Sequence, residues 1–212
     1  MDSRYVIVLS GTPASGKDTI TTHLSRLEPV FIDGEKWTFS AIKKDKLAFD
    51  VCEESSDPRN ALYNLVDANT FQRKIEDGTY IQYHRRYQSG YAVSMESLQA
   101  AWDDRKIPII HNGKQENLPS FYQAGLFPFC VLLMCGKEET ESRLKMRQAN
   151  RPDEWEKRLA AYWEERQEIG SAVLSGERVR FHAAFSTDNL SAFTVARMLR
   201  SSAALYWQSA IE

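Results

Sequence analysis

Residues Gly11-Thr12-Pro13-Ala14-Ser15-Gly16-Lys17-Asp18-Thr19 bring two glycines, a lysine and a hydroxyl to the spacing of a phosphate-binding loop. Glycines let the backbone turn tightly, so that consecutive N–H groups face inward and cradle an anion at the start of a helix. The apolar run Tyr5-Val6-Ile7-Val8-Leu9 precedes the loop and a helical pattern follows it, which is the context such a loop requires. Lys17 is the mobile point charge for the outer phosphates of a nucleoside triphosphate. Gly11, Thr12, Ala14, Ser15, Gly16, Lys17, Asp18 and Thr19 are the expected nucleotide contacts. The hydroxyl that normally follows the lysine is displaced by Asp18 to Thr19, so Thr19 and Asp18 are the candidate ligands for Mg²⁺ or its waters. Two plainer readings stand beside these: an ordinary glycine turn, and an acid placed at a helix N-terminus for its dipole.

A second group of chemically capable residues lies further on. Arg143, Arg147 and Arg158 follow one another in a helical, charged stretch, where a solvated helix face is the competing reading. Gln82, Tyr83, His84, Arg85 and Arg86 follow an Asp77-Gly78 turn, and Tyr91 comes shortly after. His111 ends the apolar run Pro108–His111, at a strand end that suits a site-lining residue or a satisfied core histidine. Lys43, Lys44 and Lys46 form a charge run that reads either as a phosphate-binding cluster or as a solvated face.

The elements that must position these groups follow from periodicity. Strands are expected over 5–10, 30–32, 80–83, 108–111, 129–134 and 181–185. Helices are expected over 17–27, 68–76, 94–102, 138–146, from Pro152 to about Gly170, and 190–200, with Ser94 and Asp188 as N-caps. The stretch 35–67 has no clear period and is expected to be an irregular insertion over the site. Alternation of strands and helices predicts an α/β fold, a parallel sheet wrapped by helices in three layers, with the ligand at the carboxyl ends of the strands. The 212 residues suit one domain, within which 35–93 is the expected acceptor-binding region and 147–158 the expected lid.

Composition narrows the function classes. With 42% hydrophobic residues and 26% charged ones the chain has material for a core and is not a disordered polymer. A net charge of −2 argues against a globally basic nucleic-acid surface. Cys52, Cys130 and Cys135 have no metal-ligand spacing, and the last two flank an apolar run as reduced core residues. The absence of a leader pattern or membrane-length apolar run leads to the expectation of a cytoplasmic protein, monomeric or homodimeric, acting on a small molecule.

With these residues in view, the chain resembles the guanylate-kinase-like branch of P-loop kinases from Tyr5 to about Arg200. The likeness rests on 10–19, on Phe71-Gln72-Arg73-Lys74-Ile75-Glu76-Asp77-Gly78 with Tyr91, on Arg143, Arg147 and Arg158-Leu159, and on Ser186-Thr187-Asp188. It implies that Arg143 and Arg147 lie near ATP, that Arg158 reaches the transferring phosphate from the lid, and that Tyr91 meets an acceptor phosphate. It departs where that branch reads guanine: Gln82 stands for a glutamate, and His111-Asn112-Gly113 for an Asp-x-Asp strand end. No Thr-Arg-x-Pro-Arg segment stands between 30 and 67. The middle of the chain is similar to ribose 1,5-bisphosphate phosphokinases, through Gly16-Lys17-Asp18-Thr19, Tyr83-His84 and Asn112-Gly113-Lys114-Gln115-Glu116-Asn117-Leu118-Pro119. The resemblance implies an ATP- and Mg²⁺-dependent kinase with Lys17, Arg147 and Arg158 as catalytic groups and Gln82, Tyr83, Tyr91 and His111 at the acceptor. Ribose 1,5-bisphosphate is the first acceptor it suggests and a nucleoside monophosphate the second. A non-catalytic guanylate-kinase-like binding module is the rival class, and it predicts a damaged phosphate loop or lost lid arginines.

Overall fold

The computed structural model describes residues 4–56, 58–86, 89–147, 149, 152–174 and 180–210. Five hydrophobic residues in a row, Tyr5 to Leu9, are almost fully buried, as expected for a central strand covered on both faces. That strand, β1 (Tyr5–Gly11), lies between β8 (Lys106–His111) and β9 (Phe127–Met134), parallel to both. The main sheet is completed by β10 (Ala183–Ser186) beside β9, and by β3 (Glu35–Ala41) and β2 (Val30–Ile32) beyond β8. β2 and β3 form an antiparallel hairpin, turned at Asp33 and Gly34, which both take positive φ.

Helices α1 (Lys17–Leu24) and α8 (Ala192–Ser209) pack on one another against this sheet, while α4 (Met95–Asp103) and α5 (Leu118–Gln123) pack on β8 and β9. Trp102 of α4 and Trp207 of α8 donate their indole N–H groups to the carbonyls of Tyr5 and Phe127, so both rings enter the core without an orphaned donor. Helix α6 (Lys137–Arg147) leads towards α7 (Pro152–Leu174); of the expected lid, residues 148, 150 and 151 lie outside those described.

The stretch expected to be irregular is mostly ordered. It holds β3, then β4 (Lys44–Leu47), α2 (Val51–Ser55), a 3₁₀ turn at Pro58–Leu62 and β5 (Tyr63–Val66). After α3 (Ala68–Glu76) come β6 (Tyr80–Arg86) and β7 (Ser89–Ser94), and these build a second sheet in the order β5-β4-β7-β6. Strands this short, rich in lysine and flanked by charge, leave little period-2 signal. Asp57 and residues 87 and 88 lie outside the described residues, as does the side chain of Arg86.

Caps follow the expected chemistry with one correction. Asp67 and Ser94 accept from the backbone N–H groups of Thr70 and Ser97 and start α3 and α4. Helix α8 starts at Ser191, whose hydroxyl accepts from Thr194 N–H, and not at Asp188. The Asp188 carboxylate accepts from the Gly136 N–H instead, at 3.0 and 3.1 Å, tying the loop after β9 to the loop after β10.

Candidate functional site

The phosphate loop leaves β1 through Gly11, whose φ of +153° and lack of a Cβ let it pass against the Leu133 carbonyl and the Ser15 hydroxyl. Ala14 and Gly16 take φ of 57° and 85°, and Gly16 is the N-cap of α1. This succession of left-handed residues turns the N–H groups of the loop towards one point. Lys17 folds over that point: its ammonium donates to Gly11 O at 2.7 Å, Thr12 O at 3.0 Å and Ser15 Oγ at 3.2 Å. The Thr12 hydroxyl is buried there with no hydrogen-bond partner among the described residues.

All three arginines converge on the loop. Arg143 is pinned by Glu139 (Nε to Oε1, 2.7 Å) and donates to Ala14 O at 3.1 Å and Thr187 O at 2.6 Å, so it straps the loop to the turn after β10. Arg147 at the end of α6 meets the Asp18 carboxylate at 3.4 Å. Arg158 and Glu165, two turns apart on α7, line the same cavity of about 530 Å³, whose other walls include Gly11, residues 13–20, Asn112, Gly113 and Thr187. Glu165 is almost completely buried, an acid on the lid helix that sequence reasoning did not single out. Spacing from Arg158 was its only signal.

Asp18 and Thr19 stand exposed in the first turn of α1. A carboxylate and a hydroxyl at the loop are hard oxygen donors that fit Mg²⁺. No group of three acid, histidine or cysteine ligands occurs among the described residues, so most of the coordination would come from phosphate and water oxygens.

Across from the loop, the second sheet offers one face. Pairing of His84 with Tyr91, and of Gln82 with Val93, sets Gln82, His84 and Tyr91 on that face. The His84 ring stacks on Tyr91 with centroids 5.6 Å apart, and Tyr63 of β5 lies 5.5 Å from Tyr91 on its other flank. Lys44 sits 5.5 Å over the Tyr91 ring and donates to His111 O at 2.9 Å, which joins the two sheets at the cleft. Burial, and then the Lys17 ammonium, lower the Lys44 pKa to about 8. Burial, with Tyr91 and Asp18 nearby, raises Tyr63 to about 12, and the Arg158 and Arg147 charges oppose that rise. Tyr63 thus lies within electrostatic reach of Arg158, Arg147 and Asp18, a placement that nothing in its sequence neighbourhood signalled.

Tyr83 does not join this group. A β-bulge between Tyr80 and Gln82 and its pairing with Ala92 put it on the opposite face, where it is half exposed. Lys46 is held by Glu54 and Asn60, so of the lysine run only Lys44 reaches the cleft floor. Gln82 is 3% exposed; its Oε1 accepts from Asn117 Nδ2 at 2.8 Å, and its Nε2 has no partner among the described residues. Asn112 donates to Ser10 Oγ at 3.3 Å, and its Oδ1 likewise has no partner among the described residues. His111 lies between the halves, with Nε2 at 2.7 Å from Thr21 Oγ1 and Nδ1 at 3.6 Å from Asp18 Oδ1. Burial, with Lys44 beside it, depresses its pKa to about 3, so the ring is neutral.

A nucleotide-sized cavity over a strand–loop–helix phosphate cradle, faced by a small second sheet, is the geometry to compare with known proteins. No protein-family model matches the chain. By sequence it is 24% identical over 110 residues to the guanylate kinase of Bdellovibrio bacteriovorus, a match spanning about half of each chain (52% of this one and 53% of the relative). By structure it superposes on the crystal structure of guanylate kinase from Anaplasma phagocytophilum with a TM-score of 0.57 at 13% identity, covering 95% of this chain and 87% of the other. The fold is guanylate-kinase-like. In this guanylate-kinase-like fold the main sheet carries the phosphate loop and the second sheet forms the opposite wall of the cleft. No helix among the described residues is long and apolar enough to cross a membrane.

Proposed function

We propose that this chain is an ATP-dependent phosphotransferase that moves the γ-phosphate of ATP to a small phosphorylated acceptor held on the second sheet. The observation that carries the reading is the convergence of Lys17, Arg143, Arg147 and Arg158 around one cavity over the phosphate loop. Phosphoryl transfer asks for neutralised charge and two oxygens held in line, and positioned cations supply both. Lys17 and Arg158 would bear on the transferring phosphate, and Arg143 fixes the loop against the turn at Thr187. Asp18 and Thr19 would hold Mg²⁺, which neutralises phosphate charge when bound. Closure of 147–158 over the nucleotide would exclude water and so protect against hydrolysis. The rival scaffold reading predicts a damaged loop, whereas this loop keeps its lysine and its arginine partners.

For the acceptor, Lys44, His84, Tyr91 and Tyr63 make a wall suited to an anion. The unpaired Gln82 Nε2 offers a donor where a carboxylate would offer an acceptor. A carboxylate would accept from guanine N1–H and N2–H together, whereas the Gln82 carbonyl oxygen is already held by Asn117, which favours an oxygen-rich acceptor such as ribose 1,5-bisphosphate. A nucleoside monophosphate is the second reading, supported by the guanylate kinase names of the two similar proteins. ADP release from Mg-ATP, measured with ribose 1,5-bisphosphate, GMP and the other nucleoside monophosphates in turn, separates them. Stimulation by the bisphosphate alone is expected. Stimulation by GMP alone would transfer the site to the second reading.

A further inference from the structure

Asp18 is a negative charge where a triphosphate is to be bound, in the first turn of the helix whose N-terminus faces that anion. A like charge within a few ångströms of phosphate is costly unless a cation stands between them. The structure shows how the charge is handled in the protein alone. One carboxylate oxygen faces the Arg147 guanidinium at 3.4 Å and the other faces His111 Nδ1 at 3.6 Å. His111 is itself fixed from its far side by the Thr21 hydroxyl at 2.7 Å, and its carbonyl holds Lys44. The surrounding charged groups are Lys17 and Lys44 on the cleft side and Arg147 on the lid side. Arg147 is the guanidinium in direct contact with the Asp18 carboxylate.

We propose that Asp18 exchanges partners on nucleotide binding: Arg147 leaves it for the phosphates, and a divalent cation takes the place of Arg147 at the carboxylate. The inference rests on the phosphotransferase reading. It assigns Asp18 a thermodynamic role, in which the acid makes nucleotide binding depend on the divalent cation. Without the cation, transfer of Arg147 to the phosphates leaves the carboxylate facing the nucleotide unscreened. With it, the carboxylate becomes one of the metal's few protein oxygens. His111 acts as a positioning residue, keeping the carboxylate pointed at the loop while its partner changes.

Calorimetric titration of ADP and of a non-hydrolysable ATP analogue, with Mg²⁺ and with chelator, reads this without any turnover. For the unaltered protein a large Mg²⁺ enhancement of affinity is expected. Asp18→Asn should bind metal-free nucleotide roughly five-fold or more tighter and lose roughly ten-fold of the Mg²⁺ enhancement, within the usual range of coupling between two sites. Asp18→Glu keeps the charge and should keep most of the enhancement, which guards against a fault of folding in the first variant. An unchanged enhancement in Asp18→Asn, or weaker metal-free binding, would overturn the exchange while leaving the phosphotransferase reading intact. Failure of the unaltered protein to bind nucleotide under either condition would overturn both.

Discussion

Lys44, in the proposed acceptor wall, has a charge that pH can interrogate. Its pKa of about 8 lies below that of a free lysine because burial and Lys17 disfavour its charge. The cation is therefore present at neutral pH and is lost as pH rises through about 8. The KM for an anionic acceptor should rise above pH 8 while kcat holds, and Lys44→Arg should move that rise out of the accessible range. Folding responds in the opposite sense: between pH 8 and 10.5 the unfolded lysine binds more protons than the folded one, so this group makes stability rise with pH there. His111, with its pKa near 3, should add no step to the pH profile between 5 and 7. Arg158→Ala should cut kcat by about 10³-fold or more, the scale of a lost arginine at a transferring phosphate. Nucleotide affinity, measured separately by calorimetry, should change far less. The strand–turn–helix from Tyr5 onwards was legible at this scale because its glycines satisfy a backbone requirement that few other residues meet. Tyr63 was not, since a lone tyrosine carries no spacing of its own, and Glu165 had only its spacing from Arg158.

At the scale of elements, the second sheet is fastened to its helix by a buried polar knot. Asp45 of β4 accepts from Lys74 Nζ of α3 at 2.7 Å, from Tyr80 OH of β6 at 2.8 Å and from Asn64 of β5 at 3.3 Å. Its side chain is 7% exposed, so Asp45→Ala would leave a buried phenol and a half-buried ammonium without their acceptor. The expected loss is roughly 1–3 kcal/mol, seen as a lower midpoint in thermal or urea unfolding. Gly113 sets a second junction, because a Cβ there would run into the His84 imidazole. Gly113→Ala should displace His84 from Tyr91 and weaken the acceptor while nucleotide affinity, read by calorimetry, stays near that of the unaltered protein. Sequence periodicity located α3 and α4 to within a residue, because Asp67 and Ser94 cap them and Asp77-Gly78 ends the first. It failed at β4 and β5, where a strand of four residues facing both a charged cleft and a polar knot has no apolar face to betray it. It also misassigned the cap of α8, since Asp188 and Ser191 both precede the helix and only their partners tell them apart.

For the whole molecule, two sheets meet at a cleft, and the residues expected to move phosphate come from both sides of it. The hydrophobic run of β1 fixes the main sheet, and with it the direction in which the phosphate loop faces. That much was readable from Tyr5 to Thr19 alone. The opposite wall depends on which face of β6 turns inward, and the bulge after Tyr80 decided it, taking Tyr83 away from the cleft and leaving Gln82 and His84 within it. A bulge leaves no mark in residue types, so alternation counted from Tyr80 alone would choose the wrong face. The arginines reach the site only after folding, when α6 and α7 bring Arg143, Arg147 and Arg158 to a loop far earlier in the chain, while Lys44 joins the two sheets through the His111 carbonyl. The central claim is that this convergence transfers phosphate and not merely binds it. The most direct measurement is phosphorus NMR of Mg-ATP with ribose 1,5-bisphosphate, run with the unaltered protein and with Lys17→Ala. The account predicts loss of the γ-phosphate signal of ATP and appearance of a new phosphorylated acceptor with the unaltered protein, and neither with Lys17→Ala. No transferred phosphate on this or any nucleoside monophosphate acceptor, or equal transfer by the variant, would contradict it.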